Sequence, residues 1–203
     1  MRPESFWDKL VFMNEPTGKP ATYEDLCALP PNVMGEILDG VLYTQPRGQR
    51  CPQAHAVSVL IRRLYRPFYR EIDGPGGWWV YFKCPFELPG SPEVVPRLVG
   101  WRRERLPHLP SDESIKVVPD WVAEVLSPAT RDYNLRIKRP FYAKHGIPWM
   151  WIVDPETRVL VASRLEHGRW FEVGTWREDD RARIAPFDAI ELDLSDLWFP
   201  PKD

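Results

Sequence analysis

The chain has 203 residues, 43% of them hydrophobic, which suffices for one domain with a sizeable core. Its formal net charge of -2 excludes a global attraction to nucleic acid, so any such contact needs a local basic patch. Three scattered cysteines, Cys27, Cys51 and Cys84, indicate a reducing compartment rather than a disulfide framework. Because no apolar run resembles a signal peptide or a membrane span, we expect a cytoplasmic protein without a membrane partner.

The N-terminal part predicts an irregular arm followed by a compact domain. Turn residues are frequent in residues 1–21, and we assign the single domain to residues 22–203. Thr22 is placed to cap a short helix from Tyr23 to about Leu29. The segment from Glu36 to Tyr43 predicts one strand with a turn or bulge at Asp39-Gly40.

An amphipathic helix is predicted from Gln53 to about Arg70, with a kink or an early end at Pro67. Its polar face is basic and includes Arg62, Arg63 and Arg66. These arginines are candidates for contacts with nucleic acid phosphates, but a solvated helix face explains them more simply, and both interpretations stay open.

The middle of the chain predicts antiparallel strands. Trp78–Phe82 and Val94–Trp101 are strand-like, Pro85–Leu88 is a candidate continuation of the first, and the turn residues 89–92 connect them. A second basic cluster, another candidate for contacts with nucleic acid, consists of Arg102, Arg103 and Arg105.

The segment from Val117 to Pro155 predicts the centre of the fold. An apolar strand, a helix from about Asn134 to His145 and a second strand over Trp149–Val153 follow one another, so the two strands should be parallel neighbours in a covered sheet. Glu124 interrupts the first strand. Leaving a buried carboxylate unpaired is costly, so Glu124 needs a cation, a hydrogen-bond donor or a metal ion.

Strands over Arg158–Leu165, Trp170–Trp176 and Ala189–Leu194 complete the chain, with a turn at His167-Gly168. We therefore expect an α/β fold with a mixed central sheet flanked by helices. The core lies in residues 22–155, and an antiparallel meander covers residues 156–203.

Several motifs in this order resemble those of the Uma2 (DUF820) proteins, which belong to the PD-(D/E)XK restriction-endonuclease-like nucleases. The matching residues are PDWVAEVLSP at 119–128, Lys138, Tyr142, HGIP with WIVDP at 145–155, TYEDL at 22–26, EILDGVLY at 36–43, His55, and VVPRLVGWRRERLP at 94–107.

The resemblance implies a restriction-endonuclease-like core and metal-dependent hydrolysis of DNA phosphodiesters, with Mg²⁺ or Mn²⁺ as the cofactor and a homodimer as the assembly. In that family an Asp on one strand and a Glu on the next hold the metal ion beside a Lys. Carried over by position, these roles fall on Arg97, Glu124 and Lys138. Glu36 matches an accessory carboxylate.

Arg97 departs from the family pattern because it stands where the metal-binding Asp is expected. Asp120 lies four residues from Glu124, about 13 Å along an extended strand, so both cannot bind one ion. Glu93 lies equally far from residue 97. Glu87, on a neighbouring segment, remains the best candidate for a second metal ligand.

We therefore expect metal-dependent cleavage to be impaired, with the Arg97 guanidinium pairing with Glu124 in place of a metal ion. A plainer interpretation makes Glu124 an ordinary buried acid that is paired with Arg97 or with Lys138. Two other functions stay open. One is a catalytically inactive homologue that binds nucleic acid or a protein through the arginine clusters, and the other is a structural dimer that uses an aromatic surface.

Overall fold

A computed structural model of the chain describes residues 19–46, 51–111 and 114–200. In chain order its strands are β1 (Val33–Leu38), β2 (Val41–Pro46), β3 (Trp78–Phe82), β4 (Phe86–Leu88), β5 (Ser91–Val94), β6 (Leu98–Arg102), β7 (Trp121–Val125), β8 (Trp149–Asp154), β9 (Val159–Glu166), β10 (Arg169–Arg177), β11 (Arg181–Ala182) and β12 (Leu192–Asp193). Its α-helices are α1 (Tyr23–Cys27), α2 (Cys51–Leu64) and α3 (Arg139–Lys144).

The central sheet has six strands in the order β10-β9-β8-β7-β6-β3. Only β7 and β8 run parallel; the other neighbours are antiparallel. A helical crossover joins the parallel pair, as the sequence predicts. The predicted mixed sheet with flanking helices is therefore confirmed.

A second sheet of four strands, in the order β2-β1-β5-β4, consists of two hairpins. The prediction of one strand over residues 36–43 is wrong, because the chain reverses at Asp39-Gly40 and forms β1 and β2. Both turn residues have positive φ, 52° for Asp39 and 77° for Gly40. An Asp-Gly pair tolerates that backbone conformation well, which favours a tight hairpin over a bulge.

The predicted strand over residues 94–101 is also divided. β5 ends at Val94, and β6 begins at Leu98 in the other sheet. Likewise, β4 does not continue β3 but pairs with β5. The residues between β5 and β6 therefore carry the chain from one sheet to the other.

Prolines accompany a change of helical spacing in two places, at the end of α2 and in the crossover that contains α3. The predicted helix over residues 53–70 ends as α2 at Leu64 and continues as a π-helical turn, Tyr65–Tyr69, that contains Pro67. The crossover begins with a π-helical stretch, Tyr133–Lys138, and continues as α3 with Pro140 in its first turn. Proline lacks the N–H that an α-helix interior requires, so a local change of helical spacing is expected at both places.

The two faces of the central sheet are buried in separate cores. Trp121, Ala123 and Val125 of β7 pack on the face that α2 covers. Val122 packs in the second core, which lies on the face of α3 and the four-stranded sheet. Since side chains alternate along a strand, Glu124 points to this second face.

The C-terminal part differs from the predicted meander. The β9 and β10 hairpin turns at His167-Gly168, as predicted. The third predicted strand, over residues 189–194, is wrong, because β12 has two residues and pairs with β11 outside the central sheet. A 3-10 turn, Leu194–Leu197, follows it, and its two leucines pack in the α2-side core. The C-terminal segment thus buries its leucines in the core through this turn and not through a third strand of the meander.

The predicted arm lies outside the described residues up to residue 18, and the single-domain assignment stays a prediction. No helix in the described ranges is both long enough and apolar enough to span a bilayer.

Candidate functional site

Three charged residues from different elements meet where the two sheets face each other. Lys138, the last residue of the π-helical stretch, places its ammonium 2.8 Å from Glu124 Oε1 of β7 and 3.0 Å from Glu36 Oε1 of β1. All three residues are buried, and Lys138 is only 2% exposed. The ammonium therefore bridges two carboxylates away from bulk water.

The two carboxylates keep Lys138 protonated. Burial by itself lowers the pKa of a lysine, but the attraction of Glu124 and Glu36 outweighs it and raises the pKa of Lys138 above its ordinary value. Lys138, one of the two partners that the sequence leaves open for Glu124, thus pairs with it.

Two tyrosines complete the buried network. Tyr142 donates its hydroxyl to Glu124 Oε1 at 2.7 Å, and Tyr133 donates to Glu36 Oε2 at 3.1 Å. Burial, together with the nearby carboxylates, raises the pKa of each phenol well above the ordinary value for tyrosine. Both hydroxyls therefore stay protonated and remain hydrogen-bond donors. Sequence reasoning gave Tyr133 no role, because a lone tyrosine at the start of a helical segment carries no specific signal.

The main chain between β5 and β6 also binds this network. The backbone N–H of Val95 donates to Glu36 Oε1 at 2.8 Å, and Lys138 donates to the carbonyl oxygen of Val95 at 2.9 Å. Both oxygens of Glu36 therefore accept protein hydrogen bonds. This leaves Glu36 satisfied without a ligand.

Arg97 lies beside Glu124 in the sheet. Leu98 pairs with Ala123 in the β6 and β7 register, so the preceding residue, Arg97, stands one step further on, next to Glu124. Its half-buried side chain lines the same cleft as Glu124 and Lys138. The position where the resemblance expects a metal-binding Asp is thus in the site, and it carries a guanidinium.

A cleft of about 570 Å³ opens from this network between the sheets. Its lining combines charged side chains with apolar ones that include Leu26, Leu29, Pro31 and Met34. Among the described lining residues, three carboxylates, Glu36, Glu93 and Glu124, are matched in number by three cations, Lys83, Arg97 and Lys138.

Glu93, which the sequence argument set aside, is part of the cleft. It pairs with Ile37 in the register of β5 and β1, so the second sheet brings it near Glu36. Burial and the charge of Glu36 raise the pKa of Glu93. Glu93 lies four residues from residue 97 along the chain, and no local sequence signal indicates the sheet that brings it near Glu36.

Glu87, the predicted second metal ligand, lies elsewhere. Its carboxylate is 3.9 Å from Lys116, and it is not among the described residues that line the cleft. Asp120 accepts hydrogen bonds from the Arg102 N–H at 2.8 Å and from Arg105 at 2.7 Å. The structure therefore brings neither Glu87 nor Asp120 to Glu124.

The predicted nucleic-acid-binding arginines of α2 lie across the central sheet from Glu124. Arg62 and Arg63 both form ion pairs with Asp196, and Arg66, on the following turn, pairs with Asp73. Each charge thus has a partner within the chain. Nothing in this arrangement directs them towards the cleft.

The second arginine cluster lies at the far end of β6, five residues and about 17 Å of extended strand from Arg97. Arg103 pairs with Glu71 at 2.8 Å and stacks over Trp79 at 4.4 Å, while Arg102 stacks over Trp78 at 4.7 Å. Arg105 pairs with Asp120. The second cluster therefore contacts the turn that carries Arg66, through Arg103 and Tyr69, but its residues are not among the described ones that line the cleft.

The residues present do not fit the metal ion that the resemblance implies. Oxygen ligands from several side chains must converge on Mg²⁺ or Mn²⁺, and no group of three or more His, Cys, Asp or Glu side chains in the described ranges is placed to hold an ion. The two carboxylates of the network bind an ammonium, and Arg97 adds a further positive charge beside them. With these two cations the charge of both carboxylates is balanced, so the site offers a doubly charged ion no net attraction.

Comparisons with known proteins identify the family and the fold. The model of the Uma2 family, described as "Putative restriction endonuclease", matches residues 20–195. A crystal structure described as a putative nuclease belonging to DUF820, from Anabaena variabilis ATCC 29413, superposes with a TM-score of 0.68 at 19% sequence identity, covering 88% of this chain and 98% of that one. Among proteins with curated descriptions, none matches. The structural match supports a restriction-endonuclease-like fold.

Proposed function

Because this chain belongs to the Uma2 family, as the match over residues 20–195 shows, we propose that it is an endonuclease-fold protein that has lost metal-dependent cleavage of DNA. Hydrolysis of a phosphodiester needs a cation that activates water and offsets the charge of the transition state. In this chain the positive charges at the site are those of two side chains, Lys138 and Arg97.

One observation carries the proposal. The Lys138 ammonium contacts both Glu124 and Glu36 inside the protein, so a metal ion would have to displace a cation that these carboxylates already hold. If a metal ion drew one of the carboxylates out of this network, a buried charge would be left unpaired. Metal binding would therefore compete against an existing, well-formed ion pair.

The charge of Arg97 supports the same conclusion. Replacing an Asp by an Arg adds two positive charges, which equals the charge of one divalent cation. With Arg97, the site holds two negative charges on Glu36 and Glu124 and two positive charges on Lys138 and Arg97. Its electrostatic balance is therefore reached without a metal ion.

A protein of this kind acts by binding rather than by hydrolysis. The cleft and its charged lining suit two classes of ligand, nucleic acid and a protein partner. DNA binding that weakens steeply with salt and occurs without cleavage would identify the first class, because phosphate contacts release counterions.

Plasmid cleavage tests the proposal. Supercoiled DNA is incubated with the unmodified chain, with Arg97→Asp and with Arg66→Asp, each in Mg²⁺ and in Mn²⁺. Arg66→Asp makes the same change of charge on the opposite side of the central sheet, so it controls for net charge. We expect no metal-dependent nicking by the unmodified chain or by Arg66→Asp. Nicking by the unmodified chain that chelation abolishes would refute the proposal.

A further inference from the structure

Strand β10 presents an open edge of the central sheet. It pairs with β9 on one side, and in the part of the chain that the structure describes no strand lies on its other side. The edge is nine residues long. An unpaired row of backbone N–H and C=O groups of this length is a template for another strand.

The opposite edge of the same sheet, β3, is shorter and better covered. It has five residues, and the ring of Tyr69 from the neighbouring π-helical turn packs against Trp79 at 5.6 Å and Tyr81 at 5.8 Å. On β10, by contrast, Phe171 is 48% exposed and Val173 is 44% exposed. The open β10 edge therefore exposes two large apolar side chains, against one, Phe82, on β3.

The register with β9 shows which side chains of β10 share a face. Glu172, Thr175 and Arg177 pair with Ser163, Val161 and Val159, and therefore lie on one face. Phe171, Gly174 and Trp176 pair with Arg164, Ala162 and Leu160, and lie on the other. Val173 is the extra residue of a bulge between these two parts of the strand.

This arrangement is complementary to itself. A two-fold axis through Gly174, perpendicular to the sheet, sets β10 antiparallel to β10 of a second copy and keeps each face continuous. Counting outwards past the bulge, Phe171 then lies opposite Trp176 of the second copy, on the same face. Glu172 lies opposite Thr175 and diagonal to Arg177, within reach of its long side chain.

We propose that two copies of this chain associate through antiparallel pairing of their β10 edges, so that the central sheet continues from one copy into the other. The exposed ring of Phe171 gains an aromatic neighbour, and Glu172 gains a cation. The pairing buries the open edge of both copies at once. It does not depend on whether the cleft binds metal or cleaves DNA.

Sedimentation velocity of the full chain over a range of concentrations tests the proposal. We expect a dimer for the unmodified chain and at least a tenfold weaker dimer for Phe171→Lys, because a buried ammonium would replace the ring. Phe82→Lys is the matched control, since Phe82 is 45% exposed on the β3 edge. A monomer at every concentration, or equal weakening by both variants, would overturn the proposal.

A charge exchange tests the register. Glu172→Arg should weaken the dimer by placing like charges diagonally opposite, and Glu172→Arg combined with Arg177→Glu should restore it. Circular dichroism melting of each variant separates loss of association from loss of folding. Failure of the double variant to regain the dimer, while its fold is intact, would contradict the axis at Gly174.

Discussion

The ammonium of Lys138 lies 2.8 Å from the carboxylate of Glu124, inside the protein and on the sheet face that points away from α2. The pair joins β7 to the crossover that follows it. With Glu36 it forms the centre on which both the stability and the proposed inactivity of the site depend.

Lys138→Met should destabilise the fold by about 3–5 kcal/mol, because it leaves Glu124 and Glu36 buried without their cation. Urea unfolding, followed by tryptophan fluorescence, measures this loss. Lys144→Met is the control: Lys144 pairs with Asp39 but its side chain is 63% exposed, so we expect a loss of about 1 kcal/mol or less. Similar losses of unfolding free energy for both variants would mean that the buried ion pair stabilises the fold no more than an exposed one.

Adding Glu36→Gln and Glu124→Gln to Lys138→Met should recover part of the lost stability. The triple variant removes the uncompensated charges as well as the cation, and neutral groups are cheaper to bury. No recovery would indicate that packing of the lysine chain, rather than charge, dominates.

Tyr142→Phe should lower the free energy of unfolding by about 1.5–3 kcal/mol, since it removes a hydrogen bond to the buried Glu124 carboxylate. Tyr23→Phe provides a control because Tyr23 is exposed. An unchanged midpoint for Tyr142→Phe would show that this hydroxyl contributes no net stability.

Alkaline pH should destabilise the protein steeply. The pKa values of Lys138, Tyr133 and Tyr142 are all raised in the folded state. A group of this kind contributes stability below its unfolded pKa, about 10 for both residue types, and loses it as pH rises towards the folded pKa. Urea unfolding between neutral pH and about pH 11 should show this decline.

The Tyr142→Phe variant should show a shallower alkaline decline, because one of the three titrating groups is absent. An identical slope for the variant and the unmodified chain would contradict the assignment of the pH dependence to this network.

The arginines of α2 should contribute little to any DNA binding. Arg62 and Arg66 are paired with Asp196 and Asp73, across the sheet from the cleft. Anisotropy titrations with labelled duplex DNA should therefore give the same affinity and salt slope for Arg62→Gln and Arg66→Gln as for the unmodified chain. A salt slope smaller by about 0.9 for each variant would instead place these residues on phosphates.

The parallel pair of strands and the helical crossover could be predicted because both strands are continuous apolar runs, and Gly146 ends the intervening helix. The hairpin of β9 and β10 followed from the turn at His167-Gly168. Local sequence signals and tertiary packing agree in these segments, so periodicity was sufficient.

The four-stranded sheet could not be predicted in the same way. Its two hairpins depend on a reversal at Asp39-Gly40 and on the passage of the chain between sheets after Val94. Reading Asp39-Gly40 as a turn or bulge inside one strand removed the sheet that brings Glu93 beside Glu36. The place of Glu93 in the cleft is a long-range contact with no local signature.

The site itself was predicted in part. Glu124, Lys138, Glu36 and Arg97 line one cleft, while Glu87 and the arginine clusters do not belong to it. The first four were placed by the resemblance to the family. Glu87 was chosen because it lies on a neighbouring segment and the arginines for their charge, and neither property reveals which face of a sheet a residue occupies.

Isothermal titration calorimetry of the unmodified chain with Mg²⁺ and with Mn²⁺ tests the loss of the metal site most directly. We expect no saturable heat of binding at the cleft, because Lys138 and Arg97 already supply its positive charge. Saturable binding of one ion per chain that is lost in Glu124→Gln, while the fold is intact, would contradict it.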